Sequence, residues 1–275
     1  MQADKLKENN FLEPGNHKGV TRFFIIYCMI IFKNEVPVYF LLGIDDTDSP
    51  TSRNTSTLAQ ALGQQLESLS LARLINLSCH QLWQNHSIPH TSENIASCLL
   101  LDAESDRLRE IDLLCRQTLL RESAPGSNAG YALAAWNQFD PDVVVWGKTC
   151  KLTSLNRLDG IALARRCEIA IAGILGNGNG VIGALAAVGL RFEGNDGWIQ
   201  WMPGLDSLRG VFTAMELTQR VSIDGIETER HKRPAITDRI IINDRLKPIL
   251  LDGRIILPVR SAKKGADHDW ETYDI

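Results

Sequence analysis

The sequence predicts an α+β fold, and three observations carry that prediction. Strand-like and helix-like segments alternate without the strict βαβ rhythm of a doubly wound sheet. The segment from Val36 to Ile44 is rich in β-branched and aromatic residues, as a buried strand requires. The segment after it carries Leu58, Leu62 and Leu66 at helical spacing. With 275 residues, 44% of them hydrophobic and 23% charged, the chain has a globular composition and can bury a sizeable core.

The elements follow in order. After the first strand, a helix is expected over about Thr55 to Ser68 and a strand over Ala72 to Trp83. A polar loop with Asn85, His86, Pro89 and His90 precedes a strand at Ile95 to Leu101. Asp106 to Leu120 reads as an amphipathic helix, broken by Ser123-Ala124-Pro125-Gly126-Ser127. A second unit is expected from Pro141. It holds a short strand at Val143 to Trp146, a helix from Leu158 to Leu175 ended by Gly176, and a short apolar helix from about Val181 to Val188. Strands are expected at Trp198 to Trp201, Ile240 to Ile242 and Ile255 to Leu257. The expected domains are a peripheral segment 1–35, a catalytic domain 36–140, a second domain 141–260 and a tail 261–275.

Six scattered cysteines with no Cys-x-x-Cys pair disfavour a zinc ribbon and a disulfide scaffold, and suit buried reduced thiols. The apolar run Phe23 to Phe32 is too short to span a bilayer, which takes about 20 residues. Lys33, Asn34 and Glu35 follow it where a signal peptide would have small residues. A cytoplasmic protein without membrane association is the expectation.

The chemistry concentrates in Gly43-Ile44-Asp45-Asp46-Thr47-Asp48-Ser49. A hydrophobic strand ending in Asp45, Asp46 and Asp48 crowds three carboxylates, which repel unless a cation offsets them or solvent screens them. Hard oxygen ligands suit magnesium, commonly held by one or two carboxylates plus phosphates. Thr47, Ser49, Thr51, Ser52, Thr55, Ser56 and Thr57 line the way into the next helix, whose N-terminus favours an anion. The alternative is an Asp-rich turn with capping hydroxyls. A phosphatase of the haloacid-dehalogenase type, with Asp46 as nucleophile, lacks its later Lys and paired-Asp motifs, and Pro50 stands where that pattern has threonine or valine.

This loop, followed by Thr55-Ser56-Thr57-Leu58-Ala59, resembles the opening of the archaeal agmatidine (2-agmatinylcytidine) synthetase family, which modifies an isoleucine tRNA. Ile88-Pro89-His90-Thr91 with Asn94 is similar to that family's Pro-x-Lys-Thr-x-x-Asn segment, and Ala124-Pro125-Gly126 to its Pro-Gly turn. Gly178-Asn179-Gly180-Val181-Ile182-Gly183 and the apolar residues to Gly189 are similar to its glycine-rich helix start. The likeness spans roughly residues 38–190. It implies a kinase-like catalytic domain followed by a ferredoxin-like domain, with ATP and Mg2+ as cofactors and tRNA and a small amine as partners. It implies metal binding by Asp45, Asp46 and Asp48, catalysis by Asp45, Asp46 and an autophosphorylated Thr55, and nucleotide contacts from Thr47, Ser49, Ser56, Thr57, His90, Asn94, Gly178 and Gly180. The sequence departs from the family at Ser52-Arg53-Asn54, where the family has Gly-x-Cys, and at His90, where it has lysine. No clear OB-fold and no zinc ribbon are expected within these residues.

Other candidates are weaker in pattern. Gly178, Gly180 and Gly183 fit Gly-x-Gly-x-x-Gly, but the expected preceding helix is the wrong context for a dinucleotide fold. A tight turn between two helices or an anion-binding turn are the readings that remain. His80, His86 and His90 are candidate metal ligands with unspecific spacing. Lys148 and Lys151 can meet phosphate or solvent, as can the basic turn Arg230-His231-Lys232-Arg233. A formal net charge of -4 offers no overall attraction to nucleic acid. A gel shift with tRNA is therefore expected to show weak binding that falls further as salt rises; tight, salt-insensitive binding contradicts this.

Overall fold

Strand β1 (Val38–Asp45) turns the expected apolar run into the centre of two cores. Side chains alternate across a strand, so Phe40, Leu42 and Ile44 enter one hydrophobic cluster while Leu41 enters another. The computed structural model describes residues 38–49, 52–84 and 94–273, all within one unit spanning 37–275. The expected run Phe23 to Phe32 and the loop residues Asn85, His86, Pro89 and His90 lie outside the described residues.

Five antiparallel strands form the first part of the sheet, in the order β5 (Ala170–Gly173), β4 (Gly130–Ala135), β1, β3 (Ile95–Ala103) and β2 (Arg73–Gln81). Helices α1 (Thr55–Ser68) and α2 (Leu108–Glu122) cover one face through Leu58, Leu62, Leu66, Ile111, Cys115 and Leu119. Helices α3 (Pro141–Cys150), α4 (Arg157–Arg166) and α5 (Gly180–Glu193) cover the other through Val143, Trp146, Ala164 and the Ala184–Leu190 stretch. Strand β6 (Trp198–Trp201) pairs with β2 and extends the sheet through β10 (Ile249–Leu251), β11 (Arg254–Ser261), β12 (Trp270–Thr272), β9 (Arg239–Ile242) and β7 (Gly210–Thr213). A short β8 (Gly225–Glu227) runs parallel to β11, and α6 (Ala214–Arg220) completes a third core around Ile199, Leu217, Ile240 and Leu257. The fold is mixed α+β, as expected.

Strands of the expected segment 141–260 join the same sheet as those of 36–140, β5 pairing with β4 and β6 with β2, and α5 packs on β1, β3 and β4. Two elements differ from expectation. Val143 to Trp146 is helix, not strand. Asp140 caps α3 by accepting from the Asp142 N–H at 2.8 Å, Pro141 presets the first turn, and Trp146 Nε1 donates to the Ile182 carbonyl at 3.1 Å. Those local and tertiary terms outweigh the β preference of three valines. The single helix expected over Leu158 to Leu175 ends at Arg166, where Glu168 takes a positive φ of 57°, and β5 follows, paired with β4. Strand β4 itself, Gly-Tyr-Ala-Leu-Ala-Ala, gave no strand signal, because alanine favours helix by propensity. Among the described residues no helix is long and apolar enough to cross a membrane.

The glycine-rich turn therefore follows a strand and opens a helix, contrary to its expected place between two helices. Among the described residues the turn still does not belong to a dinucleotide-binding unit. β5 runs antiparallel to its neighbour β4, and α5 leads to β6 on the far side of β2.

The α5–β1 contact is close. A Cβ built on Gly43 would lie 2.1 Å from the Ala184 carbonyl oxygen. Gly43→Ala is expected to cost stability at or above the upper end of the ~1–3 kcal/mol typical of overpacking, read as a lower urea midpoint with unchanged slope. An unchanged midpoint contradicts the packing.

Candidate functional site

Asp45 is the last residue of β1, and alternation turns its side chain toward α5. Its Oδ2 lies over Gly183, where an added Cβ would sit only 2.0 Å away. Enclosure by the protein, then the Asp46 charge and more weakly that of Asp48, push the Asp45 carboxyl from its ordinary 3.8 up to about 8. The Asp46 backbone N–H offsets part of this. Asp46 takes a left-handed φ of 55°, a conformation that aspartate tolerates better than most residues. Its Oδ2 accepts from Asn128 Nδ2 at 3.2 Å.

Thr55, the first residue of α1, ties the acidic loop to that helix. Its Oγ1 accepts from the Thr47 N–H at 3.3 Å and from Thr47 Oγ1 at 3.0 Å, and donates to Asp48 Oδ1 at 3.1 Å. Both threonines are buried. Burial lifts the Asp48 carboxyl above the usual carboxylate range, and the Thr55 hydroxyl counteracts part of that rise. Asn54 caps α1: its Oδ1 accepts from the Thr57 N–H at 3.0 Å, Thr57 Oγ1 at 2.6 Å and Ser56 Oγ at 3.1 Å. The Ser49 N–H donates to Ser52 Oγ at 2.7 Å.

A second wall comes from the turn between α2 and β4, which sequence reasoning treated as a helix breaker and as a likeness to the family's Pro-Gly turn, without a site role. The Ala124 N–H donates to the Thr47 carbonyl at 2.8 Å. Besides holding Asp46, Asn128 accepts the Asn177 N–H on Oδ1 at 3.2 Å and the Gly180 N–H on its carbonyl at 2.9 Å. Asn128 thus joins the acidic loop to the glycine-rich turn. An Asn two residues past a Pro-Gly pair was the available signal, since asparagine readily bridges turns.

The expected site residues distribute as follows. Asp45, Asp46, Thr47, Asp48 and Thr55 come together at the end of β1, with Ser49, Ser56 and Thr57 beside them at the tip of α1. The N–H groups of Gly178 and Gly180, expected to face phosphate, donate to the carbonyls of Leu175 and Asn128, each at 2.9 Å. Asn94 Nδ2 donates to the Trp83 carbonyl at 2.6 Å. Among the described residues no three acidic, histidine or cysteine side chains converge closely enough to hold a metal ion by themselves.

No family model and no curated protein matches the chain. Solved structures of TiaS are similar to it. The complex of TiaS with tRNA and ATP has a TM-score of 0.49 and 23% identity, over 55% of this chain and 36% of that one. The complex of TiaS with tRNA, AMPCPP and agmatine has a TM-score of 0.48 and 22% identity over the same shares. Apo TiaS, a tRNA agmatidine synthetase, has a TM-score of 0.48 and 22% identity over 55% and 35%. The chain thus spans about a third of the length of these proteins.

The remaining candidates are bound up internally. His80 is buried, its Nδ1 3.1 Å from Asp196 Oδ1 and its Nε2 2.9 Å from Ser78 Oγ, and burial lowers its pKa. Lys151 pairs with Asp196 and Lys148 with Glu193. In the basic turn, Arg233 and His231 lie on Glu227 at 2.9 and 3.4 Å, and Lys232 stacks 5.1 Å over the Trp270 ring.

The raised Asp45 pKa sets a pH dependence. The folded state holds this proton more tightly than the unfolded chain, so the associated stability is full below about pH 4 and lost as pH rises through about 8. Urea titrations in EDTA across pH 5 to 9 are expected to show this decline in the native chain. Asp45→Asn, which stays neutral, should lack it, and parallel profiles would falsify the assignment.

Proposed function

We propose that the chain is an ATP- and magnesium-dependent phosphoryl-transfer enzyme whose site is the acidic loop together with the tip of α1. The observation that carries this is the Thr55–Asp48 contact: a hydroxyl and a carboxylate at 3.1 Å, within reach for a nucleophile and its base. The resemblance of the loop to the agmatidine synthetase family supports the same reading.

The donor set fits a hard cation. It is all carboxylate oxygen, and magnesium needs only one or two protein carboxylates when phosphates complete its shell. One or two of Asp45, Asp46 and Asp48 would hold it, and bound there it would neutralise phosphate charge. The chain's own residues perform the rest. Asn128 fixes the Asp46 carboxylate, and Thr47 orients the Thr55 hydroxyl. Asp48, which accepts the Thr55 hydroxyl at 3.1 Å, takes the proton as the Thr55 oxygen bonds to the γ-phosphorus. The bond from that phosphorus to the bridging oxygen breaks, and ADP leaves. A tRNA and a small amine, which the similar TiaS complexes contain, are the acceptors to test first.

A second reading, a nucleotide-binding module without turnover, is favoured by the burial of Thr55 between Thr47 and Asp48. Incubation with ATP and Mg2+, followed by ADP assay and phosphopeptide mass spectrometry, separates the two. A phosphopeptide containing Thr55 is expected, kept in Thr55→Ser and absent in Thr55→Val. Asp46→Asn should abolish turnover, and Asp48→Asn should slow it by about 10²–10⁴-fold, the usual worth of a general base. Undiminished turnover in Asp46→Asn sinks the enzymatic reading, and ATP binding without ADP release selects the module.

A further inference from the structure

At the other end of α5 from Asp45 lies a buried charge that no carboxylate of the described residues pairs with. Arg191, in the last turn, is 6% exposed. A guanidinium offers five N–H donors and stays protonated. Its only hydrogen bond among the described residues runs from Nη2 to Asn76 Oδ1 at 3.1 Å, and Nε is buried with no acceptor. No carboxylate of the described residues forms an ion pair with it. Asp224, whose charge it feels, is exposed and accepts the Ile255 N–H at 2.7 Å.

The same protein shows what a compensated buried charge looks like. Glu227, 3% exposed, has Arg233, Arg254 and His231 at 2.9, 3.0 and 3.4 Å. The carbonyl end of α5 offsets part of the Arg191 charge, but it supplies partial charge only. A buried charge with an orphaned donor is unfavourable, so the unmatched Nε and the absence of an ion pair among the described residues point to an anion as the partner of this guanidinium. The register of β2 against β3 shifts between Leu74 and Asn76, and such irregularities commonly re-aim a side chain. Here the re-aimed amide meets the guanidinium.

We propose that Arg191 and Asn76 form a binding site for a small oxyanion, phosphate or carboxylate, separate from the acidic loop. The guanidinium plane matches two oxygens of either group, and its unused N–H donors supply the bonds. The site does not depend on the phosphoryl-transfer reading.

The test is thermal unfolding of the full chain in EDTA, titrated with sodium phosphate or sodium acetate against sodium chloride at matched ionic strength. A saturable rise in Tm with phosphate or acetate, beyond that with chloride, is expected. It should persist in Asp46→Asn and disappear in Arg191→Met, with Arg191→Lys retaining a weaker response. The more effective anion identifies the ligand class. Should the variants fail to fold, hydrogen exchange on the native chain decides: the anion should slow exchange in peptides covering 74–78 and 188–194, and chloride should not. No saturable response, an equal response in Arg191→Met, or exchange slowed elsewhere only, overturns the proposal.

Discussion

Helix α5 can lie directly on β1 because neither surface carries a side chain at the points of closest approach. Gly43 leaves room for the Ala184 carbonyl, and Gly183 leaves room for the Asp45 carboxyl. Everything at the site depends on this contact. It brings the first turn of α5 against the end of the sheet, encloses Asp45, and sets the glycine-rich turn where Asn128 can hold both it and Asp46. A larger residue at either glycine would lift the helix and expose the half-buried carboxylate further. The wall opposite is held by a different device, the Thr47–Thr55–Asp48 hydrogen bonds, which fix the loop to α1.

The protein handles enclosed charge in three different ways, and the contrast orders its functional features. Glu227 is surrounded by cations, which hold its carboxyl below the ordinary range despite burial, and the cluster folds the basic turn onto β8. Asp45 has like charges for neighbours, so desolvation and repulsion act in the same direction and favour its protonated form. Arg191 has no ion-pair partner among the described residues and no neutral form. The first arrangement is complete in itself. Neither of the other two has an opposite charge paired with it among the described residues; a cation is proposed for Asp45 and an anion for Arg191, at opposite ends of one helix.

Much of the first half of the fold was legible in the sequence. The apolar run ending at Asp45, the leucines of α1 and the bounds of β2, β3 and α2 each follow from one dominant pattern, period two or period 3.6. Legibility failed where local preference and final environment disagree. The valines of α3 prefer strand, yet Asp140, Pro141 and packing on α5 make them helical. The alanines of β4 prefer helix, yet β4 lies between β1 and β5, with Ala132 and Ala134 buried in the core that α5 covers. Leu158 to Leu175 has continuous helical periodicity, but the left-handed Glu168 and the pairing of β5 divide it.

The sequence by itself determined that carboxylates and hydroxyls gather at one strand end, because that gathering is contiguous in the chain and needs no long-range contact. It determined too that a small-residue helix follows a glycine-rich turn. Only the tertiary structure decided which partner each group has. It places Asn128 on Asp46, Gly183 under Asp45, and Asn76 alone on Arg191, pairs separated by 82, 138 and 115 positions. Such pairings arise from the packing of a helix on a sheet, and burial, which turns them into altered protonation or an unmet charge, exists only once that packing has excluded water.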